Sequence, residues 1–393
     1  FELSHEMNAT FDDQTILRTP GYALMGQLRA MRYAVIADCG KGCELVLVKQ
    51  PKLETDRQLF EGIVAIESPV ILDTSRAGPV SFEGWAAAAG FLVLIPMRTQ
   101  NETRGMICLG ERFATSGYGD NDIEYLSALA NITITALENA RLVREMVEKR
   151  QLEREISLAR GIQKGLLPAQ LPSPEGYDIS AINDSSLQVG GDYYDAIALS
   201  ANEYMLAIGD VSGKGIPASL LMANVQAALR AIAPLRLPLT EATERLNAID
   251  FANTGSDKFI TFFWGVLNTQ RHTFTFVNAG HNPPYLVRAD GSVYPLSTGG
   301  LILGVLDDPP PYESETVQLA PGDTIVTYTD GVNEALSKDM IEFGNERLEE
   351  LLVSLRSEST ATIIDRVRAD ILAHTIGAPQ SDDITMLVLR REG

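Results

Sequence analysis

The chain has 393 residues, of which 45% are hydrophobic and 21% are charged, and its formal net charge at pH 7 is −20. This length exceeds one comfortable hydrophobic core and predicts two domains, while the apolar content excludes a disordered chain. The acidic balance excludes a general binder of nucleic acid or of anionic membranes.

The first part of the chain alternates helical and strand patterns. Apolar spacing from Ile16 to Met31 predicts a helix, and residues 33–37 and 44–48 predict two strands joined by a glycine turn. Residues 90–97 and 104–110 predict two further neighbouring strands. The order of these elements indicates a small α+β domain.

Only three cysteines occur, Cys39, Cys43 and Cys108, so no disulfide framework is expected and a reducing cytoplasm fits. Because no second Cys/His pair lies near Cys39 and Cys43, two thiols beside a glycine turn are favoured over a metal clip. The longest nearly apolar stretch, residues 85–97, is about half of what a membrane-spanning helix needs, and no signal peptide pattern opens the sequence. We therefore expect a cytoplasmic protein without a membrane partner.

The run RGMICLGER at residues 104–112 and the helical run that follows from Tyr118 resemble a GAF domain. The resemblance covers roughly residues 3–145 and rests on pattern more than on invariant chemistry. It implies a GAF-like α/β sensor domain over residues 1–137, whose ligand or upstream activator is open. A GAF domain that only dimerises is the alternative.

The sequence from Asp122 to about Leu167 has a helix-forming composition without proline. Seam positions recur at steps of three and four residues, as a coiled coil requires: Leu126, Leu129, Thr133, Ala136, Ala140, Val143 and Val147. A second seam, out of phase with the first, comprises Leu152, Ile156, Ala159, Gln163 and Leu166. We predict a helical coiled-coil linker over residues 138–167 and a homodimer formed through the GAF-like domain and this linker. A single long helix packed on its own domain is the alternative.

After Pro168 the pattern changes to strands with a few helices. Strands are predicted over residues 177–182, 193–199, 204–211, 259–267, 273–278, 324–329 and 383–389. Helices are predicted over residues 217–233, 240–252, 345–355 and 361–373. We expect a layered sheet domain with flanking helices over residues 168–393.

Four aspartates lie at predicted strand ends or in tight glycine turns, namely Asp192, Asp210, Asp330 and Asp382. Carboxylates collected at strand ends repel each other unless a cation neutralises them, and hard divalent cations take oxygen ligands. One such turn alone is usually structural. Four of them together favour a Mg²⁺ or Mn²⁺ site.

Six runs appear in order: ARGIQKGLLP, GGDYYDAI, GDVSGKGIPASLLMA, NAGHNPP, YTDGVNEA and SDDITMLVL. They resemble the PPM family of metal-dependent protein serine/threonine phosphatases, in its bacterial SpoIIE/RsbU branch. The resemblance covers about residues 155–391. It implies an αββα sandwich for the C-terminal domain.

The resemblance also implies a role for each aspartate. Asp210 would bridge two metal ions, one of which the Val211 backbone carbonyl joins. Asp330 and Asp382 would complete the second site, and Asp192 would hold metal-bound waters. Two such ions, Mn²⁺ or Mg²⁺, lower the pKa of a bridging water for attack on the phosphoryl group. Asp383, next to the ligand Asp382, is implied to support the site without ligating the metal.

One position departs from the wider family, because eukaryotic relatives place a histidine general acid where this chain has Ser212. A serine of ordinary pKa does not serve as an acid near neutrality. Lys214 and His281 are candidates to assist. A solvated turn lysine and a structurally hydrogen-bonded turn histidine are the respective alternatives.

As a whole, the resemblance implies a dimeric signalling phosphatase whose GAF-like domain controls its catalytic domain. The substrate would be phosphoserine or phosphothreonine on a STAS-type anti-anti-sigma protein, whose dephosphorylation releases a sigma factor by partner switching. Two other functions stay open. One is a catalytically inactive binding module of the same fold. The other is a nucleotide cyclase, since Gly190-Gly191-Asp192 also resembles the GGDEF loop, although Tyr193-Tyr194 replaces Glu-Phe.

Overall fold

The chain divides into two compact units, Phe1–Glu153 and Arg154–Gly393, so the division lies inside the predicted linker. The computed structural model describes residues 7, 9–38, 43–48 (backbone only), 62–73, 81–100, 102–113, 117–254 and 258–393. Cys39 and the glycine turn after it lie outside the described residues. Cys108 is a buried free thiol whose pKa is raised by that burial.

One five-stranded sheet forms the centre of the N-terminal unit. Its strands are β1 (Tyr33–Asp38), β2 (Cys43–Val48), β3 (Val70–Ile71), β4 (Val93–Arg98) and β5 (Thr103–Leu109). They pair antiparallel in the order β2-β1-β5-β4-β3. The two strand pairs predicted from sequence, β1 with β2 and β4 with β5, are therefore neighbours in the sheet.

Two of the helices that cover this sheet precede β4. The first, α1 (Asp13–Gly26), begins at Asp12, whose carboxylate accepts the Thr15 N–H at 2.9 Å as an N-cap. The second, α2 (Phe82–Ala88), was missed by the sequence analysis and is capped by the Ser81 hydroxyl. Each helix packs its apolar side chains into a separate core.

A third helix, α3 (Asp120–Leu166), runs without interruption for 47 residues. Its buried side chains all lie in its first half: Leu126, Leu129, Ala130, Thr133, Ile134, Ala136, Leu137 and Ala140. Of the later seam positions, Val147 and Leu152 are 57% and 55% exposed in the single chain. The helix itself was predicted correctly, and the coiled coil stays a prediction.

The C-terminal unit contains two sheets. The first contains β7 (Tyr193–Ala198), β8 (Glu203–Val211), β9 (Ile260–Asn268), β10 (Thr273–Ala279), β13 (Gly299–Gly300) and β14 (Glu315–Gln318). Its order is β13-β10-β9-β8-β7, with β14 also paired to β10. The second contains β6 (Tyr177–Asp184), β11 (Tyr285–Val287), β12 (Val293–Pro295), β15 (Thr324–Tyr328) and β16 (Ile384–Arg391), in the order β12-β11-β15-β16-β6.

Helices cover the outer faces of both sheets. Helices α4 (Ile216–Ile232) and α5 (Leu239–Asn253) pack on the first sheet. A short helix, α6 (Asp330–Asn333), follows β15, and α7 (Asn345–Ser354) and α8 (Thr360–His374) pack on the second sheet. Apolar side chains from both sheets fill the space between them. The result is the αββα sandwich that the sequence resemblance implied.

The segment Ile216–Leu235 is long and apolar enough to cross a membrane by length and hydropathy alone. Within the fold it is a core helix, because Met222, Val225 and Leu229 are buried against the first sheet.

An ion pair between a buried carboxylate and a partly exposed arginine joins β7 to α4. The carboxylate of Asp195 accepts hydrogen bonds from two guanidinium nitrogens of Arg230, at 2.8 and 3.1 Å, and from the Tyr193 hydroxyl at 2.7 Å. Asp195 is fully buried. A buried carboxylate without its cation is strongly destabilising, so this contact fixes the helix on the sheet.

We expect Arg230→Gln to lower the free energy of unfolding by about 2 kcal/mol, because Asp195 would lose its charge partner. The expected loss is smaller than for a fully buried pair because the Arg230 side chain is 44% exposed. Urea denaturation followed by circular dichroism measures it. The control is Arg245→Gln, which breaks an exposed pair with Glu241 and is expected to cost less than about 0.5 kcal/mol. Equal losses in the two variants would contradict the assignment.

Candidate active site

The four aspartates predicted from sequence lie at one end of the sandwich. Asp192 directly precedes β7 and Asp210 is near the end of its antiparallel neighbour β8. Asp330 begins α6 immediately after β15, and Asp382 shortly precedes β16, the antiparallel neighbour of β15. Antiparallel pairing thus places the end of one strand beside the start of the next in each sheet. Each sheet therefore contributes two of the four carboxylates.

Asp192 connects the two sheets. Its side chain is buried, and its Oδ2 accepts hydrogen bonds from the hydroxyls of Thr329 at 2.8 Å and Thr385 at 2.5 Å. Burial is the main cause of its raised pKa, the negative charge of Asp210 adds to it, and the two hydroxyls act in the opposite direction. The threonines therefore hold this carboxylate in one orientation across the sheet interface.

Asp210 is at the centre of the electrostatic interactions. Burial, followed by the charges of Asp330 and Asp382, raises the pKa of Asp210 to about 7. Burial and the charge of Asp382 raise the pKa of Asp330 to about 6. Each ionised carboxylate makes ionisation of the others less favourable, because their negative charges repel. A bound cation would offset this repulsion, so such a cluster favours cation binding.

Asp383 supports the loop that carries Asp192. Its Oδ1 accepts from the Ser186 N–H at 2.7 Å and from the Ser186 hydroxyl, and its Oδ2 accepts from the Gly191 N–H at 3.0 Å. A Cβ atom on Gly190 would lie 1.9 Å from Asp383 Oδ2, so this position has room only for glycine. Both carboxylate oxygens of Asp383 are thus engaged within the protein.

Lys214 contacts Asp382. The two groups form an ion pair at 2.9 Å, and the Lys214 ammonium also donates to the Ser381 carbonyl. The turn that carries Lys214 has positive φ at Gly213 and Gly215, at 98° and 72°. Lys214 therefore brings a positive charge to the rim of the carboxylate cluster.

Ser212 is hydrogen-bonded to the neighbouring strand segment. Its hydroxyl oxygen accepts the Phe259 N–H at 3.0 Å, and its own N–H donates to the Phe259 carbonyl at 2.9 Å. These contacts give Ser212 a structural role at the end of β8. They do not supply the general acid that eukaryotic relatives place at this position.

His281 is buried, and both of its ring nitrogens are hydrogen-bonded. Nε2 lies 3.0 Å from the Tyr328 carbonyl and Nδ1 lies 2.9 Å from the Thr261 hydroxyl. Because a carbonyl only accepts, Nε2 carries the proton and Nδ1 accepts from Thr261. Burial lowers the pKa of His281 to about 4, so the ring is neutral near pH 7. His281 is therefore a structurally hydrogen-bonded turn histidine, the alternative given above. It binds the last residue of β15, close to Asp330.

The donor atoms at this end of the sandwich are all oxygens. In the portion of the chain that the structure describes, no three Asp, Glu, His or Cys side chains are already arranged as a metal ligand set. These oxygen donors nevertheless fit a hard divalent cation, because the neighbouring carboxylates raise one another's pKa. The Val211 carbonyl oxygen, a further donor, lies beside Gly191. A Cβ on Gly191 would lie 2.7 Å from that carbonyl oxygen and 3.4 Å from Asp210 Oδ1. Glycine therefore keeps this space open beside two oxygen donors.

The sequence analysis missed the residues that position the aspartates. Thr329 and Thr385 bind Asp192, and Ser186 binds Asp383, yet each is separated from its partner by many residues. Their only sequence signal is proximity to other aspartates, since Thr329 precedes Asp330 and Thr385 follows Asp383. Alternation and turn patterns carry no information on such long-range hydrogen bonds.

We expect His281 to make the free energy of unfolding fall as the pH is lowered from about 6.5 to about 4. The unfolded chain takes up a proton with the ordinary histidine pKa, whereas the folded state keeps the ring neutral, so protons favour unfolding in this window. At pH 5 the loss attributable to His281 should be about 2 kcal/mol. Urea midpoints of the wild type and of His281→Gln at pH 7 and pH 5 measure it. Identical pH slopes for the two proteins would refute this account.

Comparison with known proteins identifies relatives. Residues 200–392 match the family model described as Stage II sporulation protein E (SpoIIE). The chain is 28% identical over 279 residues to Protein IcfG of Synechocystis sp., covering 64% of this chain and 43% of that protein. It is 32% identical over 250 residues to phosphoserine phosphatase RsbU of Bacillus subtilis, covering 62% of this chain and 72% of that protein. It thus spans less than half of the length of IcfG.

Among solved structures, the SiaA-PP2C domain of Pseudomonas aeruginosa is similar in fold. The TM-score is 0.53 at 22% sequence identity, and the match covers 62% of this chain and 98% of that domain. This likeness shows a PP2C-type fold.

Proposed function

The chain belongs to the SpoIIE family of PP2C-type serine/threonine phosphatases, and we propose that its C-terminal unit is a metal-dependent phosphatase acting on phosphoserine or phosphothreonine in a protein. The observation that carries this proposal is the group of carboxylates brought from both sheets around Asp210, with its pKa raised to about 7. Membership of this family favours hydrolysis over the nucleotide cyclase interpretation.

We assign Asp210, Asp330, Asp382 and Asp192, with the Val211 carbonyl, to holding two divalent cations, Mn²⁺ or Mg²⁺. Such cations, when bound, lower the pKa of water and neutralise charge on phosphoryl oxygens. The protein's own part is to present ionised carboxylates at fixed positions. The raised pKa values of Asp210 and Asp330 mean that protons compete with cations for these oxygens.

Two further side chains have assigned roles in this proposal. Lys214 supplies positive charge beside the phosphoryl group, since it is already at the rim of the cluster through Asp382. Asp383 keeps the Gly191 segment in place through hydrogen bonds. Ser212 and His281 are engaged in structural hydrogen bonds, so we assign them no proton-transfer role.

A groove in the C-terminal unit supports a macromolecular substrate. It has a volume of about 780 Å³, and its lining includes Arg160 and Lys164. Arg368 also lines it but is ion-paired at 2.8 Å with Asp184 of the same lining. Two other lining side chains reach toward the site, because Gln380 donates to the Asp382 carbonyl and Asn183 donates to the Thr385 hydroxyl. The positive charges of Arg160 and Lys164, in an otherwise acidic unit, suit an acidic or phosphorylated protein surface.

The finer parts of the proposal concern partner and regulation. We propose that the substrate is a phosphorylated STAS-type anti-anti-sigma protein in the cytoplasm, and the printed name of RsbU as a phosphoserine phosphatase supports the phosphoserine part. We also propose that the N-terminal unit is a GAF-like sensor that regulates the phosphatase in a homodimer. The antiparallel sheet with helices on it and the exposed apolar positions Val147 and Leu152 support these assignments.

We expect the purified chain to hydrolyse a phosphoserine peptide only when Mn²⁺ or Mg²⁺ is present, and Asp210→Asn to lower kcat/KM by about 1,000-fold or more. The amide keeps the shape of the side chain but removes the charge needed to hold the cations. Phosphate release measured across a Mn²⁺ titration checks both expectations.

Asp250→Asn is the matched control, because Asp250 is a buried aspartate of α5 outside the cluster whose pKa is also raised to about 7 by burial. Its activity should stay within about threefold of the wild type. Absence of turnover with any metal would favour the inactive binding module. Equal losses in Asp210→Asn and Asp250→Asn would attribute the effect to stability instead of to the site.

We expect removal of residues 1–150 to change kcat by at least about fivefold and to convert a dimer into a monomer, because the proposed sensor and the whole first seam would be lost. Phosphatase kinetics at saturating Mn²⁺ and sedimentation velocity provide the two readouts.

The full-length double variant Val147→Glu with Leu152→Glu separates the two effects, since it keeps the N-terminal unit and alters only exposed seam positions. An unchanged rate and an unchanged oligomeric state after truncation would exclude both regulation by the N-terminal unit and dimerisation through it.

A further inference from the structure

The side chain of Gln163, near the end of α3, binds both backbone groups of Gly190. Its Nε2 donates to the Gly190 carbonyl at 2.7 Å, and its Oε1 accepts the Gly190 N–H at 3.1 Å. A carboxamide is a neutral group that offers a donor and an acceptor side by side, and here both are used on one residue. The contact therefore fixes the orientation of Gly190 as well as its position.

Gly190 depends on this contact. Across the described ranges, no backbone–backbone hydrogen bond involves Gly190. The residue is buried and carries no side chain of its own, and Asp383 Oδ2 occupies the space where a Cβ would be. Removing the Gln163 carboxamide would leave a buried N–H and a buried carbonyl unpaired, which is costly.

The loop held by Gln163 leads directly to the carboxylate cluster. Gly191 follows Gly190 and donates its N–H to Asp383, and Asp192 comes next. Side-chain hydrogen bonds thus fix all three consecutive residues, and each residue has different partners. Gln163 supplies the two hydrogen bonds at Gly190, the first of the three residues.

Helix α3 is itself anchored at this point, so Gln163 has a rigid support. The carbonyl of Leu166, at the helix end, accepts a hydrogen bond from Gln226 Nε2 of α4 at 3.2 Å. Leu166 and Leu167 also pack against the core beneath α4. All these contacts lie within the C-terminal unit.

We propose that Gln163 is a positioning residue that holds Asp192 in place for the divalent cation, an inference that rests on the proposed function. Without the two hydrogen bonds to Gly190, the loop gains freedom and Asp192 loses its fixed position. The cation affinity then falls. Because Gln163 also lines the groove proposed for the substrate, its effect on substrate binding is measured separately, as the peptide KM at saturating Mn²⁺.

The test uses the full chain and three variants. Gln163→Met keeps the length of the side chain but removes both hydrogen bonds, and Gln163→Glu keeps only the bond to the Gly190 N–H. The matched control is Gln170→Met, the same change at an exposed position of the same segment. The readouts are Mn²⁺ affinity by electron paramagnetic resonance, kcat and KM for a phosphoserine peptide, and amide hydrogen exchange in residues 186–192.

Gln163→Met should weaken Mn²⁺ binding by about 10-fold to 100-fold, the range found when a residue supporting a metal ligand is removed. Gln163→Glu should also weaken Mn²⁺ binding, because it places an acceptor oxygen against the Gly190 carbonyl, and Gln170→Met should have no effect. The peptide KM at saturating Mn²⁺ should stay near that of the wild type, and exchange of residues 186–192 should accelerate only in the Gln163 variants.

Wild-type Mn²⁺ affinity and wild-type hydrogen exchange in a folded Gln163→Met variant would overturn the positioning role. If this variant fails to fold, Gln163→Glu provides the same comparison. If the wild type neither binds Mn²⁺ nor hydrolyses the peptide, the proposed function fails, and unchanged exchange in the variants would show separately that Gln163 does not hold the loop.

Discussion

The buried carboxylate of Asp192 is the contact on which the C-terminal unit depends at its functional end. Asp192 directly precedes β7 of the first sheet, whereas its two donors belong to the second sheet: Thr329 follows β15 and Thr385 lies in β16. The apolar core between the sheets is not directional and would allow them to slide by small amounts. The two hydroxyls remove that freedom at the end where the carboxylates gather, because a buried carboxylate keeps its hydrogen-bond partners.

This arrangement concentrates negative charge where the fold is least able to solvate it. The pKa values of Asp210 and Asp330 rise toward neutrality, mainly through burial and then through neighbouring carboxylates. Such a cluster costs stability in the folded protein, and functional sites commonly carry this kind of cost. Apolar burial in three cores stabilises the rest of the unit.

Local patterns were sufficient to predict the long strands and the four longer helices after Pro168, and to mark the four aspartates as candidates. Each of these leaves a signal within a few residues, such as alternation in β8 or the turn at Asp330-Gly331. The short strands β11 to β14 were not predicted, because two to four residues are too few to show an alternating pattern of apolar and polar side chains. Gln163 was assigned to a coiled-coil seam by its spacing. Its hydrogen-bond partner, Gly190, can be seen only in the folded structure, because the two residues are far apart in sequence.

The two anchors at the end of α3 limit which changes of length this protein tolerates. Gln163 binds Gly190 and the carbonyl of Leu166 binds Gln226, so one helical segment must satisfy two distant partners at once. Inserting or deleting one residue between these anchors would rotate one relative to the other by roughly 100° and shift it by about 1.5 Å along the axis. We therefore expect length variation among homologues to be absent between residues 163 and 166 and to concentrate in the helix before Gln163.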